Sequence, residues 1–439
     1  MKKNICFYSC LSFLLIYISS SAAIDLDPSG NPYPDGISSS HTDTIVQTEG
    51  KIFHISSQDT SNTANKIFEF DQFNLHQGES AIFYDQGVQN SIGCITGENI
   101  SWINGNIQSR AQNFYLLNPN GIIFGNEASF DTSGASFVST ADYLQFSDGN
   151  TFQIKIKNAQ DELLTVSSPS DFGFIQSDSP GKIEFNNCNL SFSNHVSIIG
   201  KNVYLNNSFI QTNNYDINIA ALDQAGKIDI ESKKINSIVK NTGWIKIYHG
   251  NDEYDNLSSS KNIWLAAGET DLNNSVLALY DESGDGKIQI ESNNLNIQNA
   301  LIASISIFGT SGDIKFNASD INIFSSGIIN ISFNEANSGH ISIQCNEISI
   351  LNESDLLVQS ESGNTGKIDI KADKSINISD IYTIHNLSND GISGNIEIAA
   401  PRITINNISG KMMNMGKTTG DIIISADEEL SIDESWIDT

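Results

Sequence analysis

From residue 286 onward, apolar and polar residues alternate in short runs that recur at a near-constant spacing. Gly286-Lys-Ile-Gln-Ile290 is followed by Gly312-Asp-Ile-Lys-Phe316, Gly339-His-Ile-Ser-Ile343, Gly366-Lys-Ile-Asp-Ile370, Gly394-Asn-Ile-Glu-Ile398 and Gly420-Asp-Ile-Ile-Ile424. A second alternating pair follows each glycine at a fixed offset, as in Leu295/Ile297 and Ile321/Ile323; after Gly366 it slips by one place, to Ile376/Ile378. Earlier copies open at Gly181, with Leu190/Phe192, and at Gly226, with Ile235. The double-length gap from Gly226 to Gly286 predicts two coils with a polar excursion around 249–261.

Alternation with period two is the pattern of a strand with one buried face. A unit of about 27 residues holding two or three such strands, without a helical period, can bury that face only by stacking on its neighbours. The pattern therefore predicts an all-β fold, a right-handed parallel β-helix. Ile, Leu and Phe fill its interior, and Asn and Ser occupy turns where their amides form ladders at the strand spacing. Propeller blades need longer units, and the Leu-x-x-Leu-x-Leu signature of leucine-rich repeats is absent. The chain divides at about residue 180, into an amino-terminal β-helical domain over 24–180 and a repeat rod over 181–439.

The leader at 1–23 follows another logic. Lys2 and Lys3 precede an apolar run over 11–18 that is too short to span a bilayer, and Ser21-Ala22-Ala23 offers a signal-peptidase cut before Ile24. This segment is thus expected to be a secretory signal peptide. No later stretch is apolar for long enough to cross a membrane, so the mature chain is expected to carry no transmembrane segment. Composition adds acidity: 52 Asp plus Glu stand against 23 Lys plus Arg, a net charge of -29. Loss of Lys2 and Lys3 makes it 21 minus 52, or -31. Such a chain has no electrostatic footprint for nucleic acid.

Candidate chemistry is sparse. The 7 His are scattered without ligand spacing, and neither a Gly-x-Ser-x-Gly elbow nor a phosphate-binding loop occurs. The turn Asp281-Glu-Ser-Gly-Asp-Gly286 has oxygen ligands but lacks the nonapeptide period of calcium-stacked rolls. No metal, cofactor or catalytic set is expected, and the protein reads as a non-enzyme. Beyond the leader's Cys6 and Cys10, Cys94, Cys188 and Cys345 allow at most one internal disulfide and are expected to be small buried residues.

One local feature stands out in the amino-terminal part. Asn113-Phe-Tyr-Leu-Leu-Asn-Pro-Asn-Gly-Ile-Ile-Phe-Gly125 reads as strand, turn, strand. Asn118 suits the first turn position, Pro119 presets φ at the second, Asn120 tolerates the third, and Gly121 can leave with positive φ. This stretch stands among Phe68-Glu-Phe-Asp-Gln-Phe-Asn-Leu75, Gly78-Glu-Ser-Ala-Ile-Phe83, Val88-Gln-Asn-Ser-Ile-Gly-Cys-Ile-Thr-Gly97 and Ser136-Phe-Val-Ser-Thr-Ala-Asp-Tyr-Leu144. In that order these segments resemble the filamentous-haemagglutinin amino-terminal, or two-partner-secretion, domain over 24–176.

The resemblance implies export across the inner membrane unfolded, binding by the periplasmic modules of a dedicated outer-membrane transporter barrel, and progressive folding outside a Gram-negative cell. Asn118, Pro119, Asn120, Gly121 and Ile122 occupy the family's secretion-motif positions. The upstream Asn-Pro-Asn-Leu motif of many members is absent, which puts this chain in a different subgroup. The implied product is a secreted or surface-associated adhesin that binds host-cell or bacterial surface ligands. The alternatives are a cytolysin or haem-capture protein of the same export class, and a β-helix polysaccharide-degrading enzyme. The last is poorly supplied with cations, Arg standing only at 110 and 402.

Overall fold

The computed structural model describes residues 24–58, 64–155, 165–175, 181–213, 215–230, 235–237, 244–248, 257–259, 261–281 and 286–439. The predicted signal peptide, most of the polar excursion at 249–261 and most of the acidic turn at 281–286 lie outside them.

The alternating runs stack as parallel strands, and each coil has three legs. Asn90–Ile95, Asn113–Leu117 and Ala135–Ser139 lie on the first leg. Ser101–Ile103 and Ile122–Phe124 pair in parallel on the second, and Asn106–Ser109 and Ser129–Thr132 on the third. Farther along, the first two legs fuse: Asn262–Ala266 and Glu269–Asn273 both pair with the single strand Lys287–Gln298. From there Ile288, Ile314, Ile341, Ile368, Ile396 and Ile422 are successive register partners. The parallel β-helix expected from the repeat is therefore present, in the register that the glycine spacing specifies. The slip after Gly366 is absorbed by an irregularity between Ala372 and Ser375 opposite Cys345 and Glu347, which returns Ile376 and Ile378 to Ile348 and Ile350.

Two earlier copies are placed differently from the expectation. Gly181-Lys-Ile-Glu-Phe185 opens a second leg, paired to Ile122–Phe124, whereas Gly286 opens a first leg. Gly226-Lys-Ile-Asp-Ile230 is not part of a coil. Its strand Gly226–Asp229 pairs antiparallel with Pro169–Phe174 and Ile235–Ser237. A local alternation of period two cannot tell a stacked leg from a strand of an antiparallel sheet.

That antiparallel sheet has a simple origin. The chain leaves the stack between first and second legs twice, after Ala135–Ser139 and after Ile217–Ala221. The first excursion contributes Tyr143–Phe146, Thr151–Gln153 and Pro169–Phe174, the second Gly226–Asp229 and Ile235–Ser237, and the two join side by side in one five-stranded sheet. It covers the outer face of the first legs and closes a second core, in which Tyr115, Phe137, Trp264 and Ala220 from the stack meet Leu144, Phe152, Phe172 and Phe174 from the sheet. The main core runs unbroken inside the coils from Phe53 to Met412.

Two residue types set the corners. Asn187, Asn207, Asn274, Asn299, Asn352 and Asn407 turn from second to third leg with φ between 47 and 54. Asparagine tolerates this left-handed conformation better than other non-glycine residues. Their N–H groups continue the ladder from coil to coil, as in Asn299 N–H to Phe324 O at 3.0 Å and Asn407 N–H to Asp433 O at 3.2 Å. Side chains add rungs: Asn207 to Asn187 at 3.2 Å, Asn352 to Ser325 at 2.6 Å and Asn407 to Asp380 at 2.8 Å. The repeat glycines answer to space. A Cβ at Gly312 would lie 1.3 Å from Gly286 O, and one at Gly366 or Gly394 would lie 2.3 Å from the carbonyl of the glycine one coil earlier.

The amino end of the stack is covered by antiparallel strands. Ile37–Ser39 pairs with Asn65–Phe73, and the hairpin of Thr44–Glu49 and Ile52–Ser57 lies beside Ser80–Phe83.

Candidate functional site

The turn singled out in the sequence forms the corner between Asn113–Leu117 and Ile122–Phe124, the first and second legs of one coil. Pro119 and Asn120 occupy its centre, and Gly121 N–H donates to Asn118 O at 3.1 Å to close it. Asn118 Oδ1 also accepts from Asn120 N–H at 3.0 Å, so the side chain copies a backbone turn on the same residues. Gly121 has φ of 128, and a Cβ there would lie 3.0 Å from Lys182 O. The conformation and the space both select glycine. Ile122 is fully buried and continues the core column through Ile183.

Neither asparagine is displayed. Asn118 is 0% exposed and Asn120 8%. Asn118 Nδ2 donates to Asn99 O and Ser101 Oγ, both at 3.0 Å, while Asn120 Nδ2 donates to Gly97 O at 2.8 Å and Asn99 O at 3.2 Å. The two amides thus bind the corner at 97–101, one coil earlier. On the other side, Asn118 N–H donates to Ser139 O at 3.0 Å, where the first excursion leaves the stack. Lys155, within that excursion, reaches back to donate to Asn120 Oδ1 and lies 3.3 Å from Glu98. The corner therefore holds three pieces together: the preceding coil, its own coil and the root of the lateral sheet.

A second polar cluster was not legible in sequence. Asp25 Oδ2 accepts from Trp102 Nε1 and Asn104 Nδ2, both at 2.8 Å, and lies 3.2 Å from Nδ1 of the buried His76. Tyr33 stacks on Trp102, with ring centroids 3.8 Å apart. These contacts fasten the segment at 24–35 to the side of the stack. The residues involved are scattered between Asp25 and Asn104 and share no motif; the signal available was an Asp just past the expected signal-peptidase cut.

The thiols match the expectation of small buried residues. Cys94, Cys188 and Cys345 are all buried and none forms a disulfide. Burial pushes the Cys188 thiol up to about 11 and that of Cys345 up to about 12. Arg110 makes a two-pronged pair with Asp131 at 2.7 and 3.0 Å, and Arg402 pairs with Glu428 at 2.8 Å on a distant coil.

Comparison with known proteins gives one family match: the model of the TPS secretion domain fits residues 31–290, a span that includes the corner and both excursions. No curated protein matches the chain. Among solved structures, the HMW1 secretion domain from Haemophilus influenzae is 17% identical, with 92% of this chain and 99% of that one covered and a TM-score of 0.46. The filamentous hemagglutinin secretion domain is 13% identical, with 78% and 99% covered and a TM-score of 0.33.

Proposed function

This chain belongs to the TPS secretion domain family and is a secreted exoprotein of that type, and on that premise we propose that Asn118, Pro119, Asn120, Gly121 and Ile122 are the determinant read by its outer-membrane transporter barrel during export. One observation supports this reading: both asparagine amides are engaged inside the folded stack. A partner can meet those amides only before the corner closes. A chain arriving unfolded offers them, and folding withdraws them, because the acceptors on Gly97, Asn99 and Ser101 replace the partner's. Release and folding then become one event. Each later coil needs only its predecessor as a template, so growth of the stack outside the cell draws the chain outward without ATP.

The mature protein is then a right-handed β-helical rod in the extracellular space or on the surface of a Gram-negative cell. Export is assigned to the amino-terminal part that carries the corner, and display to the coils that follow it. Its role is adhesion, through loops and polar outward faces that meet host-cell or bacterial ligands. The paired and distant Arg110 and Arg402 favour adhesion over a cationic polysaccharide-cleaving site.

Export tests the reading. With the co-expressed transporter, wild-type protein is expected in the medium; without it, the medium should hold none. Asn118→Ala and Asn120→Ala should each cut export roughly tenfold, the scale of one lost charge-free hydrogen bond. Ser101→Ala removes one of the two folded-state acceptors of the Asn118 side-chain amide yet leaves the determinant intact, and should lower export less than Asn118→Ala does. Wild-type export without the transporter, or undiminished export of Asn118→Ala, would overturn the assignment. Purified mature protein should bind cells without altering a substrate; haemolysis would favour the cytolysin alternative.

A further inference from the structure

The side-chain amides of the corner at 118–121 are satisfied in two stages. Asn118 Oδ1 accepts from Asn120 N–H, Asn118 Nδ2 donates to Asn99 O and Ser101 Oγ, and Asn120 Nδ2 donates to Gly97 O and Asn99 O. All of those partners lie between residues 97 and 120, so they are in hand once the corner's own coil stacks on the one before. Asn120 Oδ1 is different. Its hydrogen-bond partner among the described residues is Lys155 Nζ, 35 residues farther along, in the first excursion. Lys155 also lies 3.3 Å from Glu98, so one ammonium joins the corner at 118–121 to the corner at 97–101.

Lys155 is itself seated by chain that arrives later. The preceding Ile154 is fully buried in the second core, and its N–H donates to Asp142 O at 3.0 Å. The Asp142 carboxylate accepts from Ile175 N–H at 2.7 Å and lies 3.9 Å from Nζ of the buried Lys201. The root of the excursion is pinned in the same way: Thr140 Oγ1 donates to Gly181 O at 2.5 Å and accepts from Lys201 N–H at 3.0 Å. The last piece is Ile228, fully buried in the same core and paired across the sheet with Phe172. It belongs to the second excursion, so the sheet that positions Lys155 is complete only when the chain through Asp229 has folded.

Taking 118–122 as the export determinant, we infer that Lys155 is a positioning residue that completes its withdrawal, with the lateral sheet as the latch that brings it in. Stacking of the corner's coil spends three of the four side-chain amide groups of Asn118 and Asn120. Asn120 Oδ1 stays open to an outside donor until the sheet forms. The Lys155 ammonium then takes it with a charge-assisted hydrogen bond, stronger than one between neutral groups. Release of the determinant is thereby tied to the emergence of both excursions, and not of the corner alone.

Hydrogen exchange on the full mature chain, without a transporter, tests the latch separately from the determinant, whose own test is export of Asn118→Ala. In the native protein, Lys155→Met should raise exchange of the Asn120 and Gly121 amides on the order of tenfold, the scale of a lost hydrogen bond to a charged group. Tyr143–Phe146 and Asn90–Ile95 should stay as protected as in wild type. Lys155→Arg keeps a cationic donor and should restore the corner. Glu98→Gln should change it little, since an exposed ion pair contributes little. In pulse-labelled refolding from denaturant, the corner amides should gain protection together with Tyr143–Phe146 and Gly226–Asp229, after Asn90–Ile95. Ile228→Ala should delay the corner and the lateral sheet alike. If Ile228→Ala fails to fold, Lys155→Met, which alters no core residue, decides alone. Wild-type exchange at Asn120 and Gly121 in Lys155→Met overturns the latch. So does failure of Lys155→Arg to restore the corner, or a corner protected before the lateral sheet.

Discussion

Asn299 shows how much one corner residue carries. It turns the chain with φ of 49 and passes its N–H to Phe324 on the next coil. Alanine would keep that hydrogen bond but must hold the left-handed conformation, at a cost of about 1–2 kcal/mol. Asn299→Ala should therefore lower the denaturant midpoint, whereas Asn299→Gly should come close to wild type. The thiols give a second check at this scale. With burial holding Cys188 near 11 and Cys345 near 12, both are protonated at neutral and mildly alkaline pH. Neither should take up an alkylating reagent at about pH 8 in the native protein, and both should do so in denaturant, as mass spectrometry of labelled peptides would read. Asparagine's place in the turns was legible from composition and spacing. The glycines' reason was not, because close approach of two coils is a property of the stack and not of any one coil.

At the scale of elements, the strand Ile368–Ser379 carries a pH-sensitive contact. Asp369 is buried, which works against its charge, but hydrogen bonds from Lys367 and Lys371, at 3.0 Å each, outweigh that and hold its carboxyl below the usual range. A carboxyl with a lowered folded-state pKa stabilises fully above the unfolded value near 3.9 and loses that contribution as pH falls through the folded value. Acid should thus loosen this coil below about pH 4, and Asp369→Asn should flatten that part of the stability profile while weakening the coil at neutral pH. The lateral sheet makes a different prediction. Phe172 is fully buried in the second core, away from the coil interior. Phe172→Ala should cost about 3–5 kcal/mol, and hydrogen exchange should rise in Tyr143–Phe146 and Pro169–Phe174 while the stacked strands stay protected. This sheet was the part of the fold that the sequence concealed. Gly226-Lys-Ile-Asp-Ile230 imitates the repeat, and its upstream partner, Pro169–Phe174, belongs to the earlier excursion, with two whole coils of chain in between. The available hint was parity: Tyr115 and Phe137 are apolar at outward positions, where an uncovered coil would place polar groups. The candidate site divides in the same way, since the turn at 118–121 follows from residue types, while its burial follows from the coil before it and the excursion after it.

For the whole molecule, the consequence of stacking is that stability is transmitted in one dimension. Among the described residues, each fused strand from Lys287–Gln298 onward pairs only with its neighbours in the stack, so a broken rung has no pairing outside the stack to compensate for it. Gly312 is the most exacting of these rungs, since its missing Cβ would sit within bonding distance of Gly286 O. Gly312→Val cannot be accommodated by a rotamer change; the two coils must separate locally, breaking the backbone ladder between them. The amino-terminal coils do not depend on that joint, having their own antiparallel cover and the lateral sheet. They should stay folded, with amides of Asn90–Ile95 and Asn113–Leu117 as protected from exchange as in wild type. Amides from residue 313 on lose their template and should exchange faster, and the single unfolding transition should split into two. A protein that lost protection uniformly along its length would instead be a cooperative block, and stepwise folding outward from the amino end, on which the proposed export mechanism draws, would lose its physical basis.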